Sequence, residues 1–303
     1  MPAQLSESTT IPEKQAIPSH RHGRFCIAIA AILWSLNGAF IPILTQETPL
    51  GLHVPKVEAM HIAFYRVFFA GLLLVPTLRR RDISFRLPML FAAICFAVMN
   101  IVFILSMTMG DVASAMFLQY TAPVWMYLGC VYLLGEKPDR RSFVAVLIAL
   151  VGIATIVIGG WRVDQLFAMA LGLASGVTYA GVLLGIRVLR NSSSRWITVM
   201  NQLTGAAVLL PMMFFIPFPS WRQMATLVVF GGLQLGFPYL LMARGLRSVS
   251  PQEAGTLTLI EPVLSPLWAY LIVGQSPARE TWVGGVFILA ALLFRYSPTR
   301  RRN

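Results

Sequence analysis

The sequence predicts an all-α membrane protein, with ten transmembrane helices arranged as two inverted five-helix repeats around a central cavity. Three observations predict it. The first is composition: of 303 residues, 57% are hydrophobic and only 12% charged, against about 25% charged in a soluble domain. The second is segmentation. After a polar stretch with three prolines, Met1 to Arg24, the chain divides into apolar runs of roughly 17–25 residues, the length that carries a helix across a ~30 Å hydrocarbon core. The third is an internal repeat whose two copies must enter the membrane from opposite sides.

The runs occupy 25–44, 57–78, 87–109, 112–134, 142–160, 165–186, 196–217, 223–243, 251–273 and 280–296. The first holds Trp34, Asn37 and Pro42 and is followed by no small-residue cleavage site, so it reads as a retained span and not as a signal peptide. Short connections leave no room for a soluble catalytic domain. The expected organisation is a cytoplasmic polar tail (1–24), a first five-helix repeat (25–160), a second, inverted repeat (161–296) and a basic cytoplasmic tail (297–303).

A net charge of +12 invites a nucleic-acid reading, but its distribution argues for topology. With the N-terminus in the cytoplasm, only Lys56, Arg162, Arg222 and Arg279 fall in outer connections; apart from Arg66, inside the second span, every other Lys and Arg lies on the inner side. Positive residues concentrate on the cytoplasmic side of membrane proteins. Both termini are therefore expected in the cytoplasm of a plasma (bacterial inner) membrane protein. The basic face meets anionic lipid headgroups and no nucleic acid. Cys26, Cys95 and Cys130 lie in three different runs without metal or redox spacing and read as packing residues. No metal and no cofactor is expected.

The repeat has a constant offset of 139 residues. Ala115 falls on Ala254, Leu118 on Leu257, Pro123 on Pro262, Gly135 on Gly274 and Pro138 on Pro277, so that GEKPDRRS at 135–142 matches GQSPARET at 274–281. Spans one and six pair by count only. Five spans per half is odd, which inverts the second half, and the charges agree: the first turn carries Lys137, Arg140 and Arg141, the second Arg279 beside Glu280. Inverted repeats are characteristic of secondary transporters, whose site lies near the midplane between the halves.

ILWSLNGAF at 32–40, the Arg of AFYRVFFAGLLL at 63–74, PVWMYLGCVYLLGEKP at 123–138 and ARGLRSVSPQEAGTLTLIEPVLSPLWAYLIVGQSP at 243–277 resemble the ten-helix EamA-type members of the drug/metabolite transporter superfamily. The resemblance runs from the first span to the last, with Gln275 standing where Glu is commoner in the G-E-x-x-P turn. It implies a basket-like bundle of two inverted repeats that moves small metabolites, often outward. Within that family the chain is similar to the aromatic amino-acid exporters.

Polar side chains at membrane depth usually face a bundle interior or a water-filled cavity. In the ninth span Thr258, Glu261, Ser265 and Trp268 repeat at i, i+3, i+7, i+10; in the second, Glu58, His61 and Tyr65 repeat at i, i+3, i+7. Trp34 and Asn37, Asn100, Gln119 and Tyr120, Ser175 and Tyr179, and Gln234 and Tyr239 come from spans one, three, four, six and eight. Together with His61, Tyr65 and Glu261 these are the expected substrate-binding residues. Simple helix packing competes for the tyrosines, and interhelical amide contacts compete for Asn37 and Asn100 and are preferred for Asn201 and Gln202. Trp125, Trp161, Trp196, Trp221 and Trp282 read as interfacial anchors.

Amides, hydroxyls and rings predominate, with one carboxylate, one His and one Arg. Phosphorylated substrates need clustered Lys and Arg, which this set lacks. It suits a small zwitterion with an aromatic or other apolar side chain, whose ammonium Glu261 takes. A lipophilic cation is the alternative. Arg66 points about 100° away from the His61/Tyr65 face and is expected to be structural, or to pair with Glu261 in one transport state. Pro123 and Pro262, repeat-related and mid-span, are expected hinge or gate points. No phosphate-binding loop, zinc motif or nucleophile elbow occurs, so an enzyme is not expected; an intramembrane enzyme built on Glu261, His61 and Ser265 ranks lowest. One chain supplies both halves of the site, so a monomer suffices.

Overall fold

The computed structural model describes residues 19–137, 139–159, 163–189 and 192–296, and all ten expected spans are helical. The first comprises α1 (His20–Ser35) and α2 (Asn37–Thr45), the second α3 (Ala59–Leu74), the third α4 (Leu87–Met109). The fourth is split into α5 (Val112–Gln119) and α6 (Ala122–Tyr132); α7 (Arg140–Gly159) closes the first half. The sixth and seventh are α8 (Val163–Val188) and α9 (Ser194–Met213). The eighth runs through α10 (Trp221–Val229), a π-helical stretch (Phe230–Gly236) and α11 (Phe237–Gly245). The ninth is split into α12 (Pro251–Leu257) and α13 (Ile260–Val273), and α14 (Arg279–Tyr296) is the tenth.

Eight of these are long and apolar enough to cross a membrane by length and composition. The other two are the fourth, whose apolar run is diluted by Gln119, Tyr120, Thr121 and other polar or small residues, and the tenth, where α14 carries Arg279, Glu280 and Arg295. Large apolar side chains such as Phe91, Ile158 and Leu271 point outward, more than half exposed, as a surface solvated by lipid requires. The first helix starts at His20, ahead of the apolar onset at Phe25, because Ser19 caps it by accepting from the His22 amide. The basic tail expected at 297–303 lies outside the described residues, as does Trp161.

The repeat is visible in the local chemistry of its ends. Asp111 caps α5 by accepting from the Ser114 amide, and Ser250, 139 residues on, caps α12 by accepting from the Glu253 amide. Spans four and nine then terminate at Gly135 (φ +66°) and Gly274 (φ +69°), left-handed positions that any Cβ would strain. Gly135→Val and Gly274→Val are each expected to destabilise the protein by about 1–2 kcal/mol, read as a lowered unfolding temperature in detergent. An unchanged temperature would show that these turns relax freely.

Packing extends the symmetry to the spans whose sequences do not align. Span three lies along span six, and span eight along span one; span four packs on span six, and span nine on span one. Exchanging the halves turns each of these pairs into the other. Spans two and seven, and five and ten, pair with their own images and so lie on the pseudo-two-fold axis. Close approach is made by small residues. A Cβ on Gly152 would meet the Gly284 backbone and one on Gly284 the Gly152 backbone; Gly23 and Gly245 face each other in the same way. Gly38 of α2 abuts the Ser265 carbonyl of span nine, and Gly176 of α8 abuts the Leu118 carbonyl of span four.

At the end of the bundle where the chain starts, Glu253 in the first turn of α12 meets His20 at 3.0 Å and Arg24 at 3.1 Å. These two residues stand one turn apart on α1. The pair of contacts ties spans one and nine together at a solvent-exposed end.

Candidate functional site

Four spans lose regular helix at mid-depth, and in each the local sequence explains it. Pro262 has no N–H, so the Thr258 carbonyl four residues earlier lacks its helical donor. The chain breaks at Thr258–Leu259. By the repeat, Pro123 breaks span four one turn earlier, at Tyr120–Thr121. Neither proline lies inside an intact helix: each opens the first turn of a new one, where amide donors have no helical acceptor anyway. Span one breaks at Leu36, between Ser35 and Asn37, and span eight widens into the π stretch around Gly231, Gly232 and Gly236. Irregular backbone at membrane depth occurs where protein or a cavity satisfies it, and π stretches frequently mark functional sites.

Side chains from other spans reach the chain at these breaks. Gln234 of the π stretch donates to the Trp34 carbonyl at 2.8 Å, next to the break in span one. The Tyr120 hydroxyl lies 3.2 Å from the Thr258 carbonyl and 2.7 Å from Glu261 Oε2, with the carboxylate the closer acceptor for its single proton. Glu261 is thus held by the opposite half at the paired breaks. Trp268, two turns further along α13, donates through Nε1 to the Ser35 hydroxyl at 2.9 Å, and that hydroxyl donates to Ile32 O at 2.6 Å. Trp34 and Tyr239 meet edge to face, ring centroids 5.4 Å apart.

Glu261 and Tyr239 are enclosed by protein yet retain accessible surface. Trp34, Tyr120 and Trp268 are likewise only half-buried. Ser265 Oγ and Gln234 Oε1 are buried with no hydrogen-bond partner.

Beside this group sits Arg66, 3% exposed. Nη1 donates to Asn37 Oδ1 at 2.9 Å and Nη2 to Asn100 Oδ1 at 3.0 Å, while Asn100 Nδ2 donates to Ala63 O at 2.8 Å. Its guanidinium lies over the rings of Phe103 and Phe230, at 5.7 and 5.9 Å. The charges of Arg66 and Glu261 act on each other, but among the described residues no salt bridge joins them. The expected pair is not formed in this state because each group has another partner.

The remaining expected residues divide. His61 Nδ1 accepts from the Glu58 amide at 3.2 Å and closes the start of α3. Tyr65 stacks on Phe69 and meets Phe64 and Phe218 edge to face. Both belong to an aromatic cluster on the face of α3 turned from Arg66. Ser175 donates to its own helix at Gly172 O, and Thr178 to Ala174 O, the intrahelical habit of buried hydroxyls. Tyr179 is 36% exposed. Gln119 ends α5, with its carbonyl facing Gly176. Asn201 Oδ1 and both amide atoms of Gln202 are buried and unpartnered, so they do not form the interhelical contacts expected of them. Residue patterns gave no hint of Phe103, Phe230 or Ser35, because an aromatic or a serine in an apolar span is ordinarily packing.

The sequence matches the EamA-like transporter family twice, over residues 21–158 and 166–297. The chain belongs to that family. Each match covers one five-helix half, and the EamA-like chain is accordingly a membrane transporter and not an enzyme. It is similar to a transporter of Archaeoglobus fulgidus described as uncharacterized, 26% identical over 91% of this chain and 97% of the relative. An inner membrane transporter of Salmonella typhimurium, YicL, is 22% identical over 94% of this chain and 98% of its own. The pseudopaline exporter CntI of Pseudomonas aeruginosa is 23% identical over 88% and 94%. A solved crystal structure superposes with TM-score 0.63 over 94% of this EamA-like chain and 100% of its own, at 14% identity. That likeness concerns the fold alone.

Proposed function

We propose that this transporter exports small zwitterionic metabolites, aromatic or other apolar amino acids, by alternating access across the bacterial inner membrane. The observation that carries the reading is Glu261. It is a carboxylate enclosed at the break of span nine and held by Tyr120 from the other half, in a region where the Trp34 and Tyr239 rings meet edge to face. A carboxylate in such a place neutralises a substrate ammonium, while aromatic walls accept an apolar or aromatic side chain. The paired breaks give each half a flexible point against the other, as an inverted-repeat carrier needs. Both termini are cytoplasmic by the distribution of basic residues, and one chain supplies the whole site. Direction is supported by the exporter among the relatives.

The competing reading is efflux of lipophilic cations, favoured by the same carboxylate among rings. Counterflow in liposomes decides between them. Phenylalanine and leucine, recovered unchanged, are expected to exchange, whereas exchange of apolar amines alone overturns the amino-acid reading. For orientation, a single cysteine replacing Arg81 is expected to react with an impermeant maleimide only after cells are permeabilised; labelling of intact cells would reverse the topology.

A further inference from the structure

Arg66 is a buried cation whose hydrogen-bond partners are both neutral. Two amide oxygens, Asn37 Oδ1 and Asn100 Oδ1, accept from its terminal nitrogens, and its Nε has no partner. Amide oxygens satisfy donors without cancelling charge. The Phe103 and Phe230 rings add only the weaker attraction of a cation over a π face. A guanidinium enclosed in protein is costly unless an anion faces it, and among the described residues no carboxylate forms a salt bridge with it. Glu261 is bound to Tyr120 instead.

An interhelical brace does not need a positive charge. Gln202, fully buried in the neighbouring span seven, shows that a neutral amide is accommodated at such depth here. What a guanidinium offers beyond an amide is a charged fork that fits a carboxylate with two parallel hydrogen bonds.

We propose that the anion matched to Arg66 is the substrate's own carboxylate, so that Arg66 is the residue that selects amino acids over amines. Asn37 and Asn100 hold the guanidinium in place and give way to the stronger acceptor. The inference rests on the zwitterion reading above and adds its second pole: Glu261 of the second half takes the ammonium, Arg66 of the first half the carboxylate. A substrate that touches both poles bridges the two halves, which ties occupancy to their relative motion. An amine reaches only Glu261 and leaves the guanidinium without an anion. An acid without an amino group reaches only Arg66.

The test uses the full-length protein in liposomes and three probes: phenylalanine, 2-phenylethylamine, which lacks the carboxylate, and 3-phenylpropanoate, which lacks the ammonium. Wild type is expected to exchange phenylalanine at least about tenfold better than either analogue, since sites built for a charged or polar group reject compounds lacking it. Arg66→Gln is expected to lower the ratio of phenylalanine to phenylethylamine exchange about tenfold or more, and Arg66→Lys to lower it less. Asn37→Asp keeps the side-chain shape and places a fixed carboxylate on Arg66; it is expected to lower the same ratio by competing with the substrate. A brace would respond otherwise: Arg66→Gln would lower both fluxes together and Asn37→Asp would leave the ratio alone. Either result overturns the inference while the amino-acid reading stands. Wild-type exchange of phenylethylamine without phenylalanine overturns both.

Discussion

Glu261→Gln is expected to lower phenylalanine exchange by about a hundredfold or more, because truncating one charge of a buried, hydrogen-bonded pair costs roughly 2–5 kcal/mol. Glutamine keeps the shape of the side chain and can still accept from Tyr120, so the paired breaks in spans four and nine should persist. Unfolding temperature in detergent checks that point. What is lost is the charge opposite the substrate ammonium. Tyr120→Phe is a smaller change, removing a neutral donor from Glu261; a reduction of about tenfold is expected. The same two proteins report on coupling. If Glu261 exchanges a proton during the cycle, a pH gradient accelerates wild-type flux and has no effect on Glu261→Gln. Wild-type exchange by the glutamine variant would remove Glu261 from the site.

Gly38→Ala is expected to cost about 1–3 kcal/mol of stability, the usual penalty for overfilling a packed contact, and to suppress exchange as well. A Cβ at Gly38 would overlap the Ser265 carbonyl and then the rest of that residue's backbone, and backbone does not rotate aside as a side chain does. Span one would be pushed from span nine beside Glu261. Gly176→Ala intrudes on the Leu118 carbonyl and the Thr121 hydroxyl of span four and is expected to lose stability as well. Gly232→Ala is the control, since a Cβ there meets nothing within 4 Å. Thermal unfolding together with counterflow separates damage to folding from damage to transport. Normal behaviour of Gly38→Ala in both assays would show that spans one and nine are not held at this distance.

What could be read from residues followed from how strongly one local rule dominates. Apolar run length gave all ten spans, because hydrocarbon permits little else. The repeat was read from Gly135/Gly274 and Pro123/Pro262, whose backbone demands leave few substitutes. The helix breaks were only half legible. The prolines were visible, but the break falls ahead of them, where the missing N–H removes the helical i+4 donor and where the residue preceding a proline disfavours helix. Glu261 was legible because an isolated carboxylate at membrane depth needs a reason. For Arg66 the helical phase was legible, but its neutral partners Asn37 and Asn100 come from spans one and three, and no spacing rule connects them. His61 and Tyr65 show the converse. Periodicity assigned them a common face, but not the neighbour that face meets.

The exchange of partners between halves has a consequence for how the protein is made. Span one packs mainly on spans eight and nine, and span three on six and seven, so five helices are already synthesised before the first of these partners emerges. Throughout that interval the first half must remain inserted on the strength of its own hydrophobicity, with Arg66 in the bilayer. The asparagines that later hold Arg66 are in that same early half. Both hydrogen-bond partners of Arg66 are therefore synthesised before any helix of the second half.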